Sequence, residues 1–147
     1  MQKHILKKGL SLPITGAPSE EIEVAPEVAR VGIVADNFEG LKPTLMVKVG
    51  DRVQKGQPVF LDKKNPGVTF TSPASGVVEQ INRGKKRKFE SLVISVDGNE
   101  EKTFAKATAS NRSLREPVIE VLLESGLWTA FRTRPYGKVP RVDSLPA

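Results

Sequence analysis

Two short segments, residues 49–60 and 71–78, constrain the fold of this chain more than any other feature. Each segment combines valines at strand-like spacing with a glycine, Gly50 or Gly76, that can adopt a positive φ angle in a tight turn. Such a segment forms one strand, a sharp turn and a second strand. Because the two segments are alike, we expect two similar strand–turn–strand units that face each other.

The first hundred residues contain short apolar or alternating runs that are separated by turn signals. The seven runs cover residues 22–24, 28–34, 45–49, 58–61, 68–71, 77–81 and 92–96. Glycine, proline, asparagine and serine fill the spaces between them. Seven short strands at this spacing predict a small barrel or sandwich, and therefore a mainly β protein.

After about residue 101 the pattern changes from strand to helix. Ser113 and Glu116 have the spacing of a capping box, in which each side chain bonds the other residue's backbone N–H. An apolar stripe follows within residues 118–123, and Gly126 is suited to end the helix. Residues 127–147 show no periodicity.

The change in pattern divides the chain into two parts. We expect residues 1–101 to form the β domain. We expect residues 102–147 to form a helix and an irregular tail, as the start of a following domain that is truncated in this chain.

Residue types exclude several classes of chemistry. The chain has no cysteine and one histidine, so it can hold neither a disulfide, a thiolate metal site, an iron–sulfur cluster nor a histidine cluster. The longest uncharged run, residues 65–78, is too short and too polar to cross a bilayer. The start of the chain lacks the apolar region of a secretory signal, which favours a cytoplasmic protein.

Positive charge is concentrated in two places. The 23 lysines and arginines exceed the 17 acidic residues, and the net charge is +6. The candidate docking residues are Arg83, Lys85, Lys86, Arg87 and Lys88 in one run, and Arg132 and Arg134 in the tail. The run lies between two predicted strands, which is typical of a hairpin tip that is either solvated or docked on anionic lipid headgroups or an acidic protein. Only 5% of the residues are aromatic, so the chain lacks side chains on which bases could stack, and we expect no nucleic-acid partner. The alternative of a nucleic-acid-binding barrel is supported by the net charge alone.

The paired turns resemble the barrel-sandwich hybrid fold of lipoyl and biotinyl carrier domains. Such carriers present a lysine at the tip of the hairpin between the two halves. Counted back from Ser72 and Gly76, that slot falls on Asn65 here, although Lys63 and Lys64 are close to it. Neither the Met-Lys-Met nor the Asp-Lys-Ala sequence of the carriers is present. We expect an exposed, unmodified hairpin, with a lipoyl- or biotinyl-type carrier domain as the alternative function.

A more specific resemblance covers nearly the whole chain. Its blocks, in order, are KGLSLPITG at 8–16, LKPT at 41–44, VKVGDRV at 47–53, DKKNPGV at 62–68 and SGLWTAFRTRP at 125–135. Together they resemble the A subunits of bacterial sodium-translocating NADH:quinone oxidoreductases. That family is longer, so the resemblance implies an N-terminal fragment.

The resemblance implies a place in a six-subunit translocase that couples electron transfer from NADH to ubiquinone with sodium export. The protein would be a peripheral component on the cytoplasmic face of the bacterial inner membrane, next to the membrane-embedded B subunit. FMN, FAD, riboflavin, a 2Fe-2S cluster and ubiquinone would lie elsewhere in the complex. The membrane surface is a further possible partner.

The same resemblance bears on cofactors. In the flavin-binding relatives in respiratory complex I, a helix is followed by a glycine-rich loop. The backbone amides of that loop approach the flavin phosphate. The corresponding stretch here, residues 126–135, keeps one glycine and carries Trp128, Phe131 and Arg132. We therefore expect neither FMN nor NADH in this fragment, assign no catalytic residue, and predict a non-catalytic structural or docking domain.

Overall fold

A computed structural model describes residues 5, 9, 15–105 and 115–144. The strands are β1 (Arg30–Val34), β2 (Pro43–Leu45), β3 (Arg52–Val53), β4 (Pro58–Asp62), β5 (Thr69–Thr71), β6 (Gly76–Arg83) and β7 (Phe89–Val96). The α-helix is α1 (Arg115–Glu124), and short 3-10 helices cover Ala35–Asn37, Lys85–Arg87 and Leu127–Ala130. None of the helices in these ranges has the length and hydrophobicity that a bilayer crossing requires.

The strands form two antiparallel sheets around one core. The four-stranded sheet has the order β1-β7-β6-β3, and the three-stranded sheet has the order β2-β4-β5. Phe60 of the smaller sheet stacks on Phe70 at 4.6 Å between ring centroids and meets Phe89 of the larger sheet edge-on at 5.3 Å. The two sheets therefore share their buried side chains, and the predicted mainly β architecture is confirmed.

The two turn segments that the sequence singled out bond directly to each other. The Gly50 N–H donates to the Val78 carbonyl, and the Val78 N–H donates to the Asp51 carbonyl, both at 2.9 Å. Further along, the backbones of residues 56–57 and Ser72 exchange two bonds of 2.8 Å. A Cβ at Gly76 would overlap the Ser95 carbonyl oxygen, which explains why a glycine is needed there. The prediction that the two units face each other is confirmed.

Two predicted strands differ from the structure. Residues 22–24 form no strand, and Ile22 and Val24 are each 97% exposed. Alternation alone does not make a strand, since no strand of the described chain lies beside this segment. Residues 45–49 were expected to be a strand, but β2 ends at Leu45 because a turn follows, in which Asp51 accepts the Lys48 N–H at 3.0 Å.

The helix is where the sequence placed it. Ser113, half of the predicted capping box, lies outside the described residues. At the other end Gly126 adopts a left-handed conformation with φ of 77°, and its N–H bonds the Leu123 carbonyl, which confirms the predicted end of the helix. The Thr71 hydroxyl donates to the Ser125 carbonyl at 3.1 Å, so the helix terminus abuts β5.

Candidate functional site

The cationic hairpin, defined as residues 83–88, joins β6 to β7 as the sequence predicted. Its backbone closes through the Gly84 N–H and the Lys88 carbonyl at 2.8 Å, and through the Arg87 N–H and the Gly84 carbonyl at 3.0 Å. Lys86 and Arg87 have φ angles of 55° and 60°. Left-handed conformations cost a residue with a Cβ atom about 1 kcal/mol each, so this tip is a strained turn.

The side chains of the cationic hairpin are exposed. Lys88 Nζ lies 3.2 Å from Asp36 Oδ1, and Arg83 Nη1 donates to the Arg87 carbonyl at 3.3 Å. Lys85, Lys86 and Arg87 form no ion pair with any residue in the described ranges. The described residues therefore leave three positive charges at the tip without a compensating carboxylate.

The two arginines of the tail, Arg132 and Arg134, differ in their contacts. The Arg132 guanidinium lies 4.9 Å from the centre of the Phe38 ring and donates to the carbonyls of Phe131, at 3.1 Å, and Thr129. These contacts fix the exposed Arg132 side chain over the Phe38 ring and the end of the 3-10 helix. Arg134 is exposed, and it makes no hydrogen bond or ion pair to another described residue. Of the two, Arg134 is the better placed to meet a partner.

The hairpin and the tail meet the same short segment, residues 35–38. Lys88 pairs with Asp36 at one side of it, and Arg132 covers Phe38 at the other. A cleft of about 310 Å³ is bordered by Asp36, Lys64 and Lys88, and one of about 180 Å³ by Asn65 and Val139. The structure thus joins the two groups of predicted docking residues through one loop.

Neither cleft has the character of a metal centre. Asp62, which borders the smaller cleft, accepts the backbone N–H groups of Lys42, at 3.2 Å, and Lys64, at 3.0 Å, so its carboxylate supports the loop. Asp143 is held by Arg141, whose hydrogen bonds lower the pKa of the Asp143 carboxyl below its usual value. Within residues 15–105 and 115–144, no three carboxylate or imidazole side chains gather in a metal-binding group.

The slot that a carrier domain gives to its acceptor lysine is covered here. Asn65 is 7% exposed, and its Nδ2 donates to the Pro140 carbonyl at 2.9 Å. The expectation of an exposed hairpin is therefore wrong at its central residue, although Lys63 and Lys64 are exposed as expected. Sequence reasoning missed the cover because the tail has no periodicity and reaches the hairpin from 75 residues away.

Trp128 lies beneath the tail. It is 7% exposed, belongs to the core cluster, and its Nε1 donates to the Pro140 carbonyl at 2.9 Å. Phe131 contacts the Trp128 ring edge-on at 5.5 Å but remains 48% exposed. Trp128 therefore packs inward, whereas Phe131, which follows the 3-10 helix, keeps about half of its surface in solvent.

Comparison with protein families matches both parts of the chain. Residues 5–97 match the model described as the NqrA N-terminal barrel-sandwich hybrid domain, which confirms the predicted fold. Residues 113–147 match the model described as the NqrA second alpha/beta domain.

Similar proteins from several bacteria are named as the A subunits of Na(+)-translocating NADH-quinone reductases. The chain is 52% identical to that of Marinomonas sp. over 143 residues, 53% to that of Vibrio atlanticus over 141, and 50% to that of Rhodopirellula baltica over 145. These alignments cover 95–96% of the chain and 32% of each relative. The chain therefore spans about a third of the length of the curated relatives it matches.

Proposed function

Because this chain belongs to the NqrA family, the A subunits of Na(+)-translocating NADH-quinone reductases, we propose that it is a non-catalytic docking domain of such a complex. In this role it holds NqrA against the other subunits while they transfer electrons from NADH to ubiquinone and export sodium. The cationic hairpin makes the contact.

The observation that carries this proposal is the set of unpaired cations at the hairpin tip. Lys85, Lys86 and Arg87 are exposed and make no ion pair with the described residues, and the turn that presents them is held by backbone hydrogen bonds. A cluster of like charges is unfavourable unless a partner of opposite charge compensates it, and such clusters mainly raise the rate and specificity of association.

We propose the membrane-embedded B subunit, at the cytoplasmic face of the bacterial inner membrane, as the first partner. The hairpin would meet acidic side chains of that protein or the anionic lipid headgroups around it. Arg134, exposed in the tail, adds a further positive charge that could face the same partner.

We further propose that this part of NqrA holds no flavin and no nicotinamide nucleotide. In support, the loop after α1 buries Trp128 against the core. A flavin-binding loop would carry glycines at this place instead, so that its backbone amides could approach a phosphate. FMN, FAD, riboflavin and the 2Fe-2S cluster would then belong to other parts of the complex, and so would the ubiquinone site.

Charge reversal tests the docking role. The tagged chain with Lys85, Lys86 and Arg87 changed to Glu is added to gently solubilised membranes that contain the complex without NqrA, and co-purified proteins are identified by mass spectrometry. The unaltered chain should recover the membrane-embedded B subunit, with recovery falling as KCl is raised, because salt screens exposed charges. The reversed chain should recover at least about tenfold less at low salt.

A control with the same change in net charge separates local from general effects. Lys42, Lys48 and Lys63 are exposed lysines outside the hairpin, and their change to Glu should leave recovery near that of the unaltered chain. Equal loss in both triple variants, or recovery that does not depend on salt, would contradict docking through the hairpin. Recovery of a carboxylase or dehydrogenase complex instead would favour the carrier alternative.

A further inference from the structure

We propose that the end of the β4–β5 hairpin is an intramolecular docking socket for residues 139–142, and that Asn65 is the positioning residue that holds this segment in place. The segment belongs to the part of the chain that follows α1, whereas the hairpin belongs to the β domain. The socket therefore joins the two parts of the molecule. This inference is independent of the proposed docking to other subunits.

One carbonyl oxygen lies at the centre of the contact. The Pro140 oxygen accepts hydrogen bonds from Asn65 Nδ2 and from Trp128 Nε1, each at 2.9 Å. A carbonyl has two lone pairs, so these two donors saturate it. Both donor residues are 7% exposed, which removes water as a competing partner. Pro140 itself has no N–H group, so the segment buries no unsatisfied donor at this position.

Apolar contacts on either side complete the socket. Val139 and Val142 both pack against the core cluster. Val142 Cγ2 lies 3.7 Å from the position that a Cβ would take at Gly67, so the valine lies beside the turn of the hairpin. The segment thus sits on the hairpin through two valines and one doubly bonded carbonyl.

The segment is also fixed at both ends. Before it, the Thr133 N–H bonds the Lys138 carbonyl at 2.8 Å and closes a turn. After it, Arg115 Nη2 at the start of α1 donates to the Ser144 carbonyl at 2.9 Å. Residues 139–142 therefore rest on Trp128 and the hairpin and lie between two bonded points of the chain, Lys138 and Ser144.

The side chain at position 65 decides whether the socket can close. The backbone of Asn65 is already used within the hairpin, where its N–H bonds the Asp62 carbonyl and its own carbonyl accepts the Val68 N–H. What remains is the side-chain amide, which can donate to a carbonyl. A carboxylate of the same shape can only accept, and it would place a negative charge against the Pro140 oxygen.

The test is Asn65→Asp, read through the single tryptophan of the chain. At neutral pH we expect the emission of Trp128 to shift to longer wavelength, because the released segment exposes the indole. Trypsin should cut after Lys138 and Arg141 at least about tenfold faster, relative to its cuts in the cationic hairpin, which serve as the internal reference. Acidification that protonates the new carboxyl restores a donor, so the emission should return towards that of the unaltered chain.

Asn82→Asp is the matched control. Asn82 Nδ2 donates to the Ser91 hydroxyl at 3.0 Å, across the other hairpin. A hydroxyl can donate as well as accept, so the reversed polarity is tolerated there. We expect Asn82→Asp to leave the Trp128 emission and the cleavage ratio unchanged at every pH.

Several outcomes would overturn the inference. It is wrong if Asn65→Asp leaves both emission and cleavage ratio unchanged, if Asn82→Asp changes them equally, or if acid does not reverse the shift. Should Asn65→Asp fail to fold by circular dichroism, Asn65→Ala is measured in its place. That variant removes the donor without adding charge, and it should raise the cleavage ratio about threefold or more; an unchanged ratio would again refute the socket.

Discussion

The two hairpins of the β domain have opposite surroundings. The β6–β7 hairpin ends in solvent, with five cations and two residues in left-handed conformations. The β4–β5 hairpin ends beneath the tail, with Asn65 and Val68 buried. Both connect antiparallel strands by a short turn, so topology does not separate them. The difference arises from what the rest of the chain places over each tip, and it divides the molecule into an outward-facing hairpin and an inward-facing one.

The largest expected effect tests whether the β4–β5 hairpin is part of the core. Val68 is fully buried, so Val68→Ala removes two methyl groups from a packed site and should lower the free energy of unfolding by about 2–3 kcal/mol. Lys85→Ala, in the cationic hairpin, should change it by less than about 0.5 kcal/mol. Urea unfolding of both variants measures this. Similar losses in the two variants would mean that the outward-facing hairpin is also needed for stability.

The sequence predicted those parts of the two hairpins and of the fold whose structure is determined by neighbouring residues. The paired turns, the strands from β4 to β7 and the end of α1 follow from glycine positions and apolar spacing within a few residues. The burial of Asn65 could not be predicted, because Pro140 reaches it from 75 residues away. The contacts of Arg132, which the sequence offered as a docking residue, could not be predicted for the same reason, since the carbonyl of Asn37 and the ring of Phe38 that it meets lie about 95 residues earlier.

A pair of glycines gives an intermediate effect. Gly67 in the β4–β5 hairpin has φ of 90°, so Gly67→Ala should cost about 1–2 kcal/mol through backbone strain. Gly84 in the cationic hairpin has an ordinary φ of −90°, and a Cβ there meets only the movable end of Glu90. Gly84→Ala should cost less than about 0.5 kcal/mol. Thermal unfolding of the two variants under the same conditions checks which variant loses more stability. A larger loss of stability for Gly84→Ala would contradict the prediction that the β4–β5 turn is the one that needs a glycine.

The smallest expected effect has the opposite sign. Arg87 has a φ angle of 60°, and a glycine adopts this conformation without strain. Arg87→Gly should therefore raise the free energy of unfolding by about 0.5–1 kcal/mol, while it weakens recovery of the partner protein. Urea unfolding and the co-purification assay measure the two results. A variant that is both less stable and equally well bound would contradict the strained, outward-facing turn.

The backbone bonds between the two turn segments close much shorter loops of chain than the contact that covers the β4–β5 hairpin. Those bonds join residues close in sequence, such as Gly56 and Ser72, whereas the bond from Asn65 to Pro140 closes a loop of 75 residues. The entropy lost in closing a loop grows with its length. The contact between Asn65 and Pro140 therefore costs more chain entropy to close than the bonds between the paired turns. The tail that covers the β4–β5 hairpin is held at this entropic disadvantage by the buried carbonyl contact and the two valines.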